Sequence, residues 1–204
     1  MSALDRLHLV RHGEVHNPDH VVYAGIAGFR LSPRGREQAA VAAARLSEMP
    51  VRRVVSSPLE RAVETARPIA DVHGVGVETF DDLGEWGLSA RWAGHRWPDL
   101  PSAFPGELEA YRVDPSDLPF APESLEAAGR RVAACAERAW SDPPGEGHVV
   151  VVSHQDPIEA ARRLLTGRDL SSFNAAKPAH ASVITLAPAV EDWREICVFT
   201  PPQE

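Results

Sequence analysis

Two cysteines in 204 residues, Cys135 and Cys197, are too few and too far apart for a disulfide framework. They also lack the close spacing of a zinc site, and both are expected to be reduced and buried. No apolar run approaches the roughly 20 residues that a membrane helix needs, and the short apolar stretch between Met1 and Arg11 is interrupted by acidic and basic residues. A soluble, cytoplasmic chain with no membrane partner is expected. Positive charge is scarce as well, since 21 Lys and Arg face 29 Asp and Glu for a net charge of -8. Nucleic acid is therefore an unsuitable partner, because binding it requires a basic face that displaces counterions. Any anion site must be a local concentration of cations.

The remaining composition, 44% hydrophobic and 25% charged, is that of an ordinary globular protein, with neither repeats nor disorder. One domain is expected over residues 1–204. Leu7 to Val10 is an apolar run that stops at Arg11-His12-Gly13, the pattern of a buried strand ending in a polar loop. Ser32-Pro33 opens a helix to about Met49, with Ser32 as N-cap and Pro33 at the first helical position. Val51 to Ser57 is a second strand, and by the same cap logic Ser57-Pro58 opens a helix from Leu59 to about Val72 that Pro68 would kink or shorten. Val75 to Phe80 fits a third strand.

From Asp81 to Pro122 the chain is rich in Trp, Pro, Gly and acidic residues, which suggests long loops and short helices laid over a site. Glu123 to Trp140 alternates as a helix does until Gly145-Glu146-Gly147 breaks it, and Glu123 and Ser124 are read as its cap. Val149 to Val152 is wholly apolar, as in a central strand covered on both faces. Asp156-Pro157 starts a helix ended by Gly167, and Ser182 to Leu186 and Trp193 to Phe199 form a late strand pair joined by Pro188 to Asp192. Strands alternating with helices predict an α/β fold, a three-layer α/β/α sandwich with a mostly parallel central sheet.

Three strands thus deliver polar clusters at their C-terminal ends: Arg11-His12-Gly13, Ser56-Ser57-Pro58-Leu59-Glu60-Arg61, and Ser153-His154-Gln155. In open α/β sheets ligands bind beyond those ends, so the clusters should converge on one crevice. Two histidines and two arginines there suit a phosphoryl group. Arg11-His12-Gly13-Glu14 with Asn17, the run Ser57 to Ala66, and Ser153-His154 resemble in order and spacing the motifs of the histidine phosphatase superfamily, the phosphoglycerate-mutase-like fold. Glu123-Ser124 and Ala181-Ser182-Val183 match as well, so the resemblance spans nearly the whole chain. Val15 and Gln155 depart from it, standing where threonine and glycine are usual.

The resemblance implies a phosphomonoester hydrolase acting through a phosphohistidine, with a phosphoglycerate-mutase-type phosphotransferase or a non-catalytic phosphate-binding module as alternatives. Physical chemistry explains the residue types. A neutral imidazole, His12, attacks phosphorus in line, and the adjacent cations Arg11, Arg61 and His154 hold it neutral and neutralise the phosphoryl oxygens. Asn17 is a candidate side-chain donor to phosphate or substrate, and Gln155 a candidate backbone donor. An alkoxide leaving group needs a proton, and Glu85 in Leu83-Gly84-Glu85 is the candidate acid, with Asp81 or Asp82 as the alternative in another register.

No metal or organic cofactor is expected. His12, His16 and His20 are spaced by four, but Gly13 and Pro18 interrupt any helix that would align them as ligands. His180 lies near the presumed crevice with a structural role expected. Trp86, Trp92 and Trp97 are expected in a small satellite core; if they line the site, they favour a substrate with an apolar or aromatic part. A small phosphate ester is the expected partner, its identity and the oligomeric state being left open by the sequence.

Overall fold

A computed structural model describes residues 5–142 and 145–203, so the two ends of the expected 1–204 domain lie outside the described residues. Six strands form one sheet in the order β3-β2-β4-β1-β5-β6, comprising β1 (Leu7–Arg11), β2 (Val51–Ser56), β3 (Val77–Thr79), β4 (His148–Ser153), β5 (Val183–Pro188) and β6 (Trp193–Phe199). The first four strands are mutually parallel, and β5 and β6 close one edge antiparallel.

Alternation along the strands produces the three layers. Leu7 and Leu9 of β1 and Val149 and Val151 of β4 face α6 (Leu125–Ser141) and α7 (Gln155–Leu165). Val10, Val150 and Val152 face the opposite way, onto α1 (Pro33–Leu46) and α2 (Glu60–His73). The strand β4 is buried at all six positions, which is why its valines run without a polar break.

Several local expectations are corrected. Ser57 is not the N-cap of α2: Leu59 occupies that position with no side-chain cap bond, and the Ser57 hydroxyl accepts from the Leu59 N–H at 3.3 Å while it also bonds His154. Pro68 does not shorten α2, which continues to His73, because its missing N–H removes one bond while Ile69 and Ala70 remain buried in the core. The helix α1 stops at Leu46 and β3 shortens to Val77–Thr79. Cys135 is buried, but Cys197 is exposed because it lies on the outer edge strand β6.

The segment from Asp81 to Pro122 contains α3 (Gly87–Arg91), α4 (Leu100–Ala103), α5 (Glu107–Val113) and two 3-10 turns. Its apolar side chains, including Trp86, Trp92, Leu100 and Leu108, form a cluster of their own against Leu125, Ala128, Ala160 and Phe173. This segment therefore carries its own small core and packs on α6 and α7. No helix among the described residues is long and apolar enough to cross a membrane.

Candidate active site

The three polar clusters converge at the C-terminal ends of the parallel strands. The adjacent strands β1 and β4 pair Arg11 with Ser153, and the next residue on each chain is a histidine. The His12 and His154 rings lie 5.3 Å apart, and both side chains are buried.

His12 is oriented by its own loop. Its Nδ1 is 2.7 Å from the Gly13 carbonyl oxygen, so Nδ1 carries the proton and Nε2 keeps its lone pair. The Gly13 N–H donates in turn to Thr65 Oγ1 of α2 at 3.0 Å. A side chain at position 13 would not fit, since a Cβ there would come within 2.5 Å of the Gly35 carbonyl oxygen. Burial first, and then Arg61, His154 and Arg11, push the His12 pKa well below its ordinary value, so the ring is neutral.

The cations are anchored from behind. Arg11 donates from Nη1 to the Pro178 carbonyl at 2.9 Å and from Nη2 to His180 Nε2 at 2.8 Å. Arg61, the most deeply buried arginine of the site, donates from Nη2 to the Ala24 carbonyl at 2.7 Å and lies 4.7 Å from the Tyr23 ring centroid. His154 uses Nε2 for Ser57 Oγ at 2.9 Å. The buried Nε atoms of Arg11 and Arg61 and the buried Nδ1 of His154 have no hydrogen-bond partner among the described residues. Buried polar atoms are almost always paired in folded proteins, so three orphans in one place mark where a ligand supplies acceptors.

Glu85 faces this group from the cap, with Oε2 3.7 Å from His154 Nδ1 and 3.9 Å from Arg61 Nη2. Its loop is fixed from α6, because Arg131 donates to the carbonyl oxygens of Asp82, Gly84 and Glu85 and is itself paired with Glu123 at 2.7 Å. Burial, opposed chiefly by Arg61, raises the Glu85 pKa. Asp82 points elsewhere, to Arg138 at 2.5 Å, and neither it nor Asp81 lines the cavity.

Arg11, His12 and Glu85 line a cavity of about 640 Å³ whose wall also includes most of residues 14–24. Asn17 lines it, but its amide holds the loop, Nδ2 donating to the Val21 carbonyl at 2.9 Å and Oδ1 accepting from the Val21 N–H at 3.1 Å. Gln155 lies at the N-terminus of α7, where free N–H groups favour an anion. Ser124 caps α6, as its sequence position suggests, while Glu123 holds Arg131 and the Gly87 N–H.

Four residues that hold the site were missed or left in the background by the sequence reading: Ser57, Thr65, Tyr23 and His180. Ser57 and Thr65 lie within the motif run Ser57 to Ala66 and His180 just before β5, but none of these signals showed what the side chain holds, and Tyr23 carried no signal.

His12, Glu85 and His154 present ligand atoms within 4.8 Å of one another, a spacing a metal ion would accept. The two flanking guanidinium groups instead make the locus favourable to an anion, since a cation there would meet Arg11 and Arg61 unscreened. The arrangement gathers one imidazole with an unprotonated Nε2, two guanidinium groups, a second imidazole and one carboxyl group around a common point. Such a set suits in-line displacement at phosphorus.

Comparison with known proteins agrees with this chemistry. The chain is 37% identical over 187 residues to an uncharacterised protein of Mycobacterium tuberculosis, covering 83% of each. It is 32% identical over 173 residues to phosphoserine phosphatase 1 of Hydrogenobacter thermophilus, covering 82% of this chain and 79% of that one. The native structure of a mycobacterial glucosyl-3-phosphoglycerate phosphatase superposes with a TM-score of 0.80 at 27% identity, covering 93% of this chain and 96% of the other. Residues 7–198 match the histidine phosphatase superfamily, branch 1. With a family match over residues 7–198 and relatives above 30% identity over most of its length, the chain belongs to the histidine phosphatase superfamily and is a phosphomonoester hydrolase.

Proposed function

We propose that this phosphatase works in two steps through a phosphohistidine on His12, with Glu85 as the proton donor and then the proton acceptor. In the first step His12 Nε2 attacks phosphorus, the N–P bond forms, and the P–O bond to the leaving group breaks. The Glu85 proton passes to the departing alkoxide oxygen. In the second step Glu85, now a carboxylate, takes a proton from water as the water oxygen attacks phosphorus, so that inorganic phosphate leaves and His12 is restored.

The observation that carries this reading is the set of three buried, unpartnered donors beside a histidine whose tautomer is fixed by Gly13. Arg11, Arg61 and His154 are the groups that meet the phosphoryl oxygens; the two arginines supply the positive charge that a metal ion supplies in other phosphatases, and the buried His154, its pKa held low, serves as a neutral hydrogen-bond donor. The roles of Glu85 fit its raised pKa, since an acid buried in this way keeps its proton to higher pH. Substrates are small-molecule phosphate esters. Residues Asp81 to Pro122 form the cap that selects among them.

Rapid quenching with labelled substrate should trap an acid-labile, base-stable phosphoenzyme in the unmodified protein and none in His12→Ala. Unchanged turnover in that variant would remove the basis of this mechanism.

A further inference from the structure

The three cap tryptophans divide sharply. Trp86 and Trp92 are 1% and 2% exposed and belong to the cap core, but Trp97 is 41% exposed and lines the same cavity as His12. Its main chain is anchored: the Trp97 backbone N–H donates to the His20 carbonyl at 3.0 Å, and the neighbouring backbone bonds from Val22 N–H to His95 O and from Gly94 N–H to Val22 O, at 2.8 and 2.9 Å, tie residues 94–97 to the loop of residues 14–24. Trp92 supports its ring edge-to-face, with centroids 6.1 Å apart. A large aromatic surface on an anchored stretch of backbone thus lines the cavity and stays partly exposed, where an apolar group would otherwise be turned inward.

The charges on the cavity wall narrow what that surface receives. Among the described lining residues Arg11 is the sole arginine or lysine, and it is already committed to the phosphate locus. Asp156, which also lines the cavity, is neutralised by Lys177 at 2.9 Å and by the Tyr111 hydroxyl at 2.9 Å. Among the other polar side chains that line the cavity, His16, His20 and Ser89 suit hydroxyls. A second anionic group on the substrate would find no dedicated cation there.

We propose that Trp97 is the platform of a leaving-group subsite, and that the preferred substrates are phosphate monoesters of an uncharged, ring-bearing alcohol or phenol. The ring lies against the indole, and its hydroxyls, where present, meet His16, His20 and Ser89. This assignment rests on the phosphatase reading above but is separable from it, because it concerns which ester is chosen and not how the ester is cleaved. The shared chemistry is a flat ring face, which an aromatic ring or a pyranose presents alike.

The test compares phenyl phosphate, glucose 6-phosphate, glycerol phosphate and O-phosphoserine in the unmodified protein and in Trp97→Ala and Trp97→Phe. The unmodified protein should prefer one or both ring-bearing esters over O-phosphoserine. In Trp97→Ala, the kcat/KM ratio of the preferred ring ester to glycerol phosphate should fall about ten-fold, through KM, and Trp97→Phe should restore most of it. A response of phenyl phosphate alone supports an aromatic leaving group, and one of glucose 6-phosphate alone supports a sugar. Equal losses on all four esters in Trp97→Ala, or a preference of the unmodified protein for O-phosphoserine, would overturn the proposal. Failure of the underlying mechanism looks different, since His12→Ala would then still turn over whichever ester is accepted.

Discussion

The neighbouring strands β1 and β4 carry two pairs of buried histidines, one at each end. His8 and His148 sit toward the start of the strands, and His12 and His154 follow their C-terminal ends. Burial is the largest cause lowering the pKa of His8, to about 3, and it likewise lowers His12 and His154. What differs is where the nitrogens point. His8 is closed, with Nε2 2.9 Å from His148 Nδ1 and Nδ1 3.1 Å from Thr185 Oγ1. The other pair is held from behind by Gly13 and Ser57, leaving His12 at the wall of a cavity and His154 Nδ1 without a hydrogen-bond partner, 3.7 Å from Glu85, which lines that cavity too. A shifted pKa therefore does not distinguish a functional histidine from a structural one here; an unpaired nitrogen beside open space does.

This contrast is sharpened most by the acid that serves the open pair. Glu85→Gln should slow turnover of alkyl phosphates by about 10²–10⁴-fold and of nitrophenyl phosphate far less, because a phenolate departs largely without a proton. The same variant should lose the fall in alkyl-ester activity at high pH, a limb that reflects Glu85 giving up its proton above a raised pKa. Asp81→Asn and Asp82→Asn should show no leaving-group dependence. If either carried the selective loss, the acid would come from that pair and the cap geometry would have been misjudged.

His154→Ala should cost about 10²–10³-fold in kcat/KM, the usual effect of removing one donor from a charge-stabilising site. His180→Ala acts at one remove, by freeing the Arg11 guanidinium that it anchors. A loss nearer ten-fold is expected, read mainly as weaker product inhibition by inorganic phosphate, with partial recovery in His180→Gln, which keeps an acceptor.

The closed pair should behave in the opposite way. His8→Gln should leave kcat/KM within about two-fold, since no atom of His8 reaches the cavity, yet change the response of stability to acid. An unfolded histidine binds a proton near its ordinary 6.5, and folded His8 refuses it until about 3, so stability is lost as pH falls across that window. Thermal melts from neutral pH downward should show a shallower decline in the variant. An equal decline in both proteins would mean that other groups carry the acid sensitivity.

The sequence made the open pair legible because its chemistry is tied to position. Apolar runs ending at Arg11-His12 and Ser153-His154 can be read without a structure, and the sheet rule brings them together. The supports were harder to see, because they act through backbone and hydroxyl bonds that leave little pattern. Ser57 looked like a helix cap, since Ser-Pro before an apolar helix is the usual cap signal, and in the fold its hydroxyl holds His154. The cap was illegible for a different reason. Its helices are four to seven residues long, too short for a 3.6-residue period to repeat, and only their burial in a common cluster defines them.

The most direct measurement is the position of the phosphoryl group on the trapped intermediate, read by phosphorus–proton correlation NMR of the quenched, alkali-stabilised protein and by mapping the labelled peptide. Because Nδ1 of His12 is bonded to the Gly13 carbonyl, the label should lie on His12 and on Nε2 alone. A phosphoryl group on Nδ1, or on His154 or His8, would contradict the account.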